Sequence, residues 1–165
     1  MDLKFKVAAR ISRPVHEVFE AVADPDKLSN YFTTGGAKGR LETGQTVTWD
    51  FHDFPGAFPV EVVEVVPDEK IVLKWDASEG EPPNVSDNPP RSEMATAPYK
   101  TTVTMTFTPL DGDTRTLVEI REEGWHENQG ALDASYGNCQ GWSQMLCALK
   151  VWVERGFNLR EDMYK

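Results

Sequence analysis

The sequence predicts an α+β fold: a curved antiparallel sheet of about six to seven strands wrapped around one long C-terminal helix, with two short helices after the first strand. Three observations carry this expectation. Six runs alternate apolar and polar residues with a period of two, the pattern of strands buried on one face. One segment near the C-terminus repeats its apolar residues with the period of a helix. Most breaks between the runs hold turn-forming residues.

Residues 2–12 put Leu3, Phe5, Val7, Ala9 and Ile11 on one face and Asp2, Lys4, Lys6 and Arg10 on the other. Ser12 or Arg13 then caps a helix with Pro14 in its first turn, and Val15, Val18, Phe19 and Val22 recur at helical spacing. Asp24-Pro25 interrupts, and a second short helix runs through Leu28 and Tyr31. Residues 33–45 read as a glycine-rich connection. Their glycines lack the spacing and the strand–helix context of a phosphate cradle. Strand runs follow over 46–52, 58–66 and 70–76, broken at Pro55-Gly56 and Pro67-Asp68.

Residues 77–98 carry five prolines and no periodicity. A segment of that kind inside a domain is either functional, as a lid or a docking segment for a protein partner, or disordered, and a lid over the mouth of a site is the preferred reading. The chain resumes as strand over 99–108, turns at Asp111-Gly112 and pairs back over 114–123. From about 131 to 157, Trp142, Met145, Leu146, Leu149 and Val153 form one stripe, and Gly156 weakens or caps the helix end.

A chain of 165 residues fits one domain, 1–165, large enough to bury a core without disulfides or metals. The net charge of −10 argues against a partner that tracks phosphates, and so against nucleic acid and anionic membrane surfaces. Cys139 and Cys147 lie eight residues apart on the predicted helix, a rise of about 12 Å, too far for a bridge. Both are expected to be reduced and buried. With no signal-like or membrane-length apolar run, the expected location is cytoplasmic.

Four stretches carry a resemblance. SRPVHEVFEAVADPDKLSNYF follows the opening strand, EVVEVVPDEKIVLKW reads as a hairpin, TLVEIREEGW as a strand ending in an acidic-Gly-aromatic turn, and GWSQMLCALKVWVE as the final helix. In order and spacing they resemble the SRPBCC (START/Bet v 1-like) superfamily, in particular the branch named for the activator-of-Hsp90-ATPase homologues. Two features depart from it: Tyr31-Phe32 stands where the family often has tryptophan, and the proline-rich loop is longer than usual. The resemblance implies the helix-grip fold. For function it implies binding of a small hydrophobic molecule or lipid in a cavity between sheet and C-terminal helix. The alternatives are a cyclase or hydrolase acting on an aromatic or polyketide-like substrate, and a co-chaperone-like module with an Hsp90-type partner. No cofactor is implied, and a homodimer through an edge strand or exposed aromatics is open to the chain.

Candidate catalytic residues are Glu122 and His52. If Val118 and Ile120 face the core, alternation puts Glu122 on the same face, where a carboxylate anchors a ligand or accepts a proton. The other reading has the strand leave the core before that residue. His52 and Asp53 end a strand and form a polar pair near a cavity mouth. His16, His52 and His126 have no metal-ligand spacing, so no metal is expected. The chain has five Trp, eight Phe and four Tyr. These residues either pack a solid core or line a pocket. The candidate ligand contacts are Tyr31, Trp49, Phe51, Trp75, Thr104, Ile120, Glu122, Trp142, Leu146 and Leu149, with Thr106 as a further polar contact.

Overall fold

Period-two alternation becomes seven strands in one sheet. The computed structural model describes residues 1–79 and 99–164. The strands are β1 Lys4–Ile11, β2 Gly36–Lys38, β3 Thr46–Phe51, β4 Phe54–Val66, β5 Lys70–Asp76, β6 Lys100–Leu110 and β7 Arg115–Glu123. The helices are α1 Val15–Ala23, α2 Pro25–Leu28 and α3 Gln129–Arg155. The sheet order is β1-β7-β6-β5-β4-β3-β2, with every pair antiparallel. The two short helices carry the chain from the β1 edge to the β2 edge. The expected lid over 77–98 falls, from residue 80 onward, outside the described residues.

Each element has a local cause. In β6 and β7 the inward residues are Thr101, Val103, Met105 and Phe107, and Thr116, Val118, Ile120 and Glu122. Asp24 caps α2 by accepting from the backbone N–H of Asp26 at 2.9 Å and Lys27 at 3.4 Å. Asn128 caps α3 by accepting from the Ala131 N–H at 2.8 Å. Gly156 ends α3 at φ 77°, a left-handed conformation that glycine adopts without a Cβ penalty. Trp142, Met145, Leu146 and Leu149 of α3 face the sheet and are buried.

Several expectations are corrected. Pro14, rather than Ser12 or Arg13, sits at the N-terminal cap of α1, and the Val15 N–H donates instead to Asp113 Oδ1 at 2.8 Å. Tyr31 lies beyond α2, which ends at Leu28. The break expected at Pro55-Gly56 falls instead at His52-Asp53, and β4 runs through Pro55. A register shift between Trp49 and Phe51 absorbs the proline, and Asp50 Oδ1 accepts the Gly56 N–H at 3.0 Å. The glycine-rich connection contains β2, which pairs with β3. Cys139 is half-buried and Cys147 exposed, because neither lies on the stripe through Trp142, Leu146 and Leu149.

Candidate functional site

Alternation along β7 carries Glu122 inward, and it has no exposed surface. Its two oxygens collect donors from both walls of the grip. Oε1 accepts from Trp75 Nε1 at 2.9 Å, Thr101 Oγ1 at 2.6 Å and Asn138 Nδ2 at 3.0 Å. Oε2 accepts from Trp142 Nε1 at 3.0 Å and Asn138 Nδ2 at 3.2 Å. Strands β5, β6 and β7 thus meet α3 at one carboxylate. Among the described residues no cation pairs with it. Burial pushes the carboxyl above its ordinary range, and the neutral donors pull it part of the way back.

A carboxylate has about four lone-pair sites, and these contacts occupy them. Glu122 therefore orients the Trp75 and Trp142 indoles from opposite walls. In this arrangement it offers no open lone pair to a substrate proton. His52, the other catalytic candidate, does not join it. His52 is exposed at the β3–β4 turn, where its backbone N–H donates to Thr34 Oγ1 at 3.2 Å.

Rings fill the space around the carboxylate. Phe32 is the hub: its ring centre lies 5.6 Å from Trp49, 5.1 Å from Phe51 and 5.5 Å from Trp142. Trp75 lies 5.4 Å from Trp142, 6.1 Å from Trp49 and 6.0 Å from Phe58. Most of these pairs are edge-on or tilted, the arrangements that ring quadrupoles favour. Of the two readings of the aromatics, packed rings hold at this level of the grip. A cavity of about 330 Å³ lies elsewhere, outside α1, between His16, Glu20, Arg40 and Asp68. There Arg40 grips Glu20 through two bonds of 2.8 and 2.6 Å, and His16 Nδ1 lies 3.0 Å from Asp68.

The remaining candidates divide. Ile120, Leu146 and Leu149 are buried in the core between sheet and helix. Tyr31 is fully buried, and its hydroxyl donates to the Ala21 carbonyl at 2.9 Å, which ties it to α1. Burial pushes its phenol well above the usual range. Thr104 and Thr106 sit out of phase with Val103, Met105 and Phe107 and face the other side of the sheet. The threonine that reaches Glu122 is Thr101, missed by the sequence reading although it shares parity with Val103. Asn138 was also missed. It lies four residues before Trp142, on the same helix face. Phe32 had one signal, the resemblance that sets Tyr31-Phe32 at a position where tryptophan is frequent. Among the described residues no group of three or more His, Cys, Asp or Glu side chains is placed to hold a metal. No helix among them is long and apolar enough to cross a membrane.

A second small cluster lies among Ala77, Glu79, Tyr99 and His126. Tyr99 stacks on His126 with ring centres 3.6 Å apart and donates to Glu79. Its phenol is pushed up to about 12, first by burial and then by that carboxylate. Ala77 donates its N–H to the Tyr99 carbonyl at 3.0 Å.

Solved structures of the same fold are numerous, and three define the comparison. SSP2350 from Staphylococcus saprophyticus is 21% identical, with 96% of each chain covered and a TM-score of 0.72. The Aha1 dimer from Colwellia psychrerythraea is 18% identical over 93% of this chain and 98% of that one, with a TM-score of 0.69. DynU16, a protein of the dynemicin biosynthetic locus, is 23% identical over 93% of this chain and 48% of that one, with a TM-score of 0.68. Among curated proteins nothing matches the chain. The model of one family, Activator of Hsp90 ATPase homolog 1-like protein, matches residues 12–154. That match spans α1, every strand after β1 and nearly all of α3, with Glu122 and its bonding partners inside it, and the chain belongs to this family.

Proposed function

We propose that the protein binds a small, flat, largely apolar molecule between its sheet and α3, against Phe51, Phe58, Trp75 and Trp142. The observation that carries this reading is Glu122. A buried carboxylate with no cation among the described residues is expensive to keep, and an apolar residue of its size would serve stability better. What the carboxylate adds is orientation. It fixes the orientation of the Trp75 and Trp142 indoles on opposite walls, so a ligand has to part the rings without having to reorient them. Phe51 and Trp75 keep a sliver of exposure while Glu122 has none, so the ligand's approach is from the Phe51–Trp75 side. Binding slides a flat molecule between rings that now touch.

One aromatic ring burying about 250 Å² gains about 6 kcal/mol at about 25 cal/mol per Å². Ordering costs reduce that sum, so a ligand of two or three rings binds in the micromolar range. The test is tryptophan fluorescence and thermal shift with fused-ring aromatics, naphthols and fatty acids, beside native mass spectrometry of the purified protein. Fused-ring compounds are expected to quench the fluorescence and raise Tm. If the whole panel leaves both unchanged and nothing co-purifies, the reading is wrong.

A further inference from the structure

The chain supplies a cation to its own aromatic cluster. After Gly156 the C-terminal segment folds back, and Arg160 buries its side chain to 8% exposure. The guanidinium carbon lies 5.4 Å from the centre of the Phe32 ring, 5.7 Å from Phe51 and 5.3 Å from Tyr164. Among the described residues Arg160 Nε has no hydrogen-bond partner, and no carboxylate comes within ion-pair distance of the guanidinium. Ring faces, together with a hydrogen bond to Tyr164, therefore hold it, much as aromatic cages hold organic cations. Burial pushes the guanidinium below its ordinary range, and Tyr164 and, from a distance, Asp53, itself buried in the β3–β4 turn, pull it part of the way back.

The segment carrying Arg160 is held as a ligand is held. Its own turn is made by Asn158 accepting the Arg160 N–H at 2.9 Å and by the Arg160 carbonyl accepting the Met163 N–H at 3.1 Å. Among the described residues its backbone makes no hydrogen bond to the sheet. Contact with the body comes through side chains: Arg160 on Phe32 and Phe51, and Tyr164 on Phe54 at 5.7 Å and on Gln144. Phe157, Leu159 and Met163 stay exposed.

We infer that the Phe32–Phe51 end of the cluster is a subsite for an organic cation, a protonated amine or a guanidinium group, and that Arg160 fills it as an intramolecular occupant. A ligand of this class carries its cation next to flat apolar rings, because Phe32 also touches Trp142 of the proposed binding wall. It competes with the C-terminal segment for the subsite. The net charge of −10 favours the approach of such a ligand. The inference rests on the proposed function only in setting this subsite beside that wall.

The experiment is cation rescue in the full chain. Arg160→Ala vacates the ring faces, and methylguanidinium chloride is the probe, with potassium chloride as the ionic control. The variant is expected to melt below the wild type. Methylguanidinium should raise its Tm saturably, by about 4 °C at about ten times the dissociation constant, with no such rise in the wild type. An equal response in both proteins, or none in the variant, overturns the inference. Should the alanine variant not fold, Arg160→Gln keeps the aliphatic stem and serves the same comparison. The apolar panel is run on the same samples. Rescue without panel binding sinks the wall and leaves the subsite, whereas panel binding without rescue does the reverse.

Discussion

Replacing Glu122 by alanine removes one acceptor group shared by four side chains. The hydroxyl of Thr101 can turn, and Asn138, only half-buried, can reach water. The indoles cannot follow. Trp142 is 2% exposed and Trp75 8%, and both are wedged among other rings. A buried donor deprived of its acceptor costs about 1–3 kcal/mol. Two indoles and the small void left by the carboxylate therefore put the loss near 4 kcal/mol, a fall in Tm of roughly 12 °C for a chain of this size. Urea unfolding and near-UV circular dichroism measure it. The mechanism has its own signature: Trp142→Phe removes a donor that Glu122→Ala would orphan. The double variant should cost less than the two single changes combined, by about 1–2 kcal/mol. A loss below about 3 °C, or strictly additive costs, refutes the idea that this carboxylate pins the sheet to the helix.

Two more outcomes follow from the geometry. Burial raises the Glu122 carboxyl above its ordinary value of 4.5 in the folded chain, so between the two values the folded chain keeps a proton that the unfolded chain has lost. The contribution of Glu122 is then full below 4.5 and declines as pH rises through the raised value, by at most about 1.4 kcal/mol per pH unit. Glu122→Gln does not titrate, so the stability of the wild type relative to this variant should fall with rising pH in urea titrations, and a flat or rising difference contradicts the assignment. Cys147 is exposed and Cys139 half-buried, so a chromogenic thiol reagent should label the native protein in a fast phase at Cys147 and a slower one at Cys139; the reverse order, checked by peptide mapping, would mean the α3 stripe is rotated.

Much of this fold is written in short-range pattern. Alternation placed β1, β3, β5, β6 and β7 within a residue or two, because one buried face imposes a period on every strand. β2 escaped because three residues of a glycine-rich segment carry no period, and they become a strand only when β3 offers its edge. The β3–β4 turn was misplaced because Pro55-Gly56 has turn chemistry, yet a register shift lets the strand pass through it. Within the site, parity alone pointed Glu122 inward and would have preferred Thr101 to Thr104. Arg160 was invisible for a different reason. It follows the helix end, where no periodicity survives, and its place is set by ring faces contributed from residues more than a hundred positions away.

The two buried ionisable groups explain more as a pair than singly. Glu122 lies at the Trp75–Trp142 end of the ring cluster and Arg160 at the Phe32–Phe51 end. Phe32 and Trp142, stacked with centres 5.5 Å apart, separate them. A core selected only for stability would place neither charge there, since each gives up hydration that neutral donors and ring faces restore in part. Aromatic packing alone tolerates many ring orientations, however, because dispersion has little direction. A carboxylate that accepts from two particular indole N–H groups admits one orientation for each. A guanidinium resting on two phenyl faces likewise resists any shift that would turn a ring edge toward it. The polar groups thus give a soft pile of rings a fixed geometry, the property on which the proposed binding site would draw.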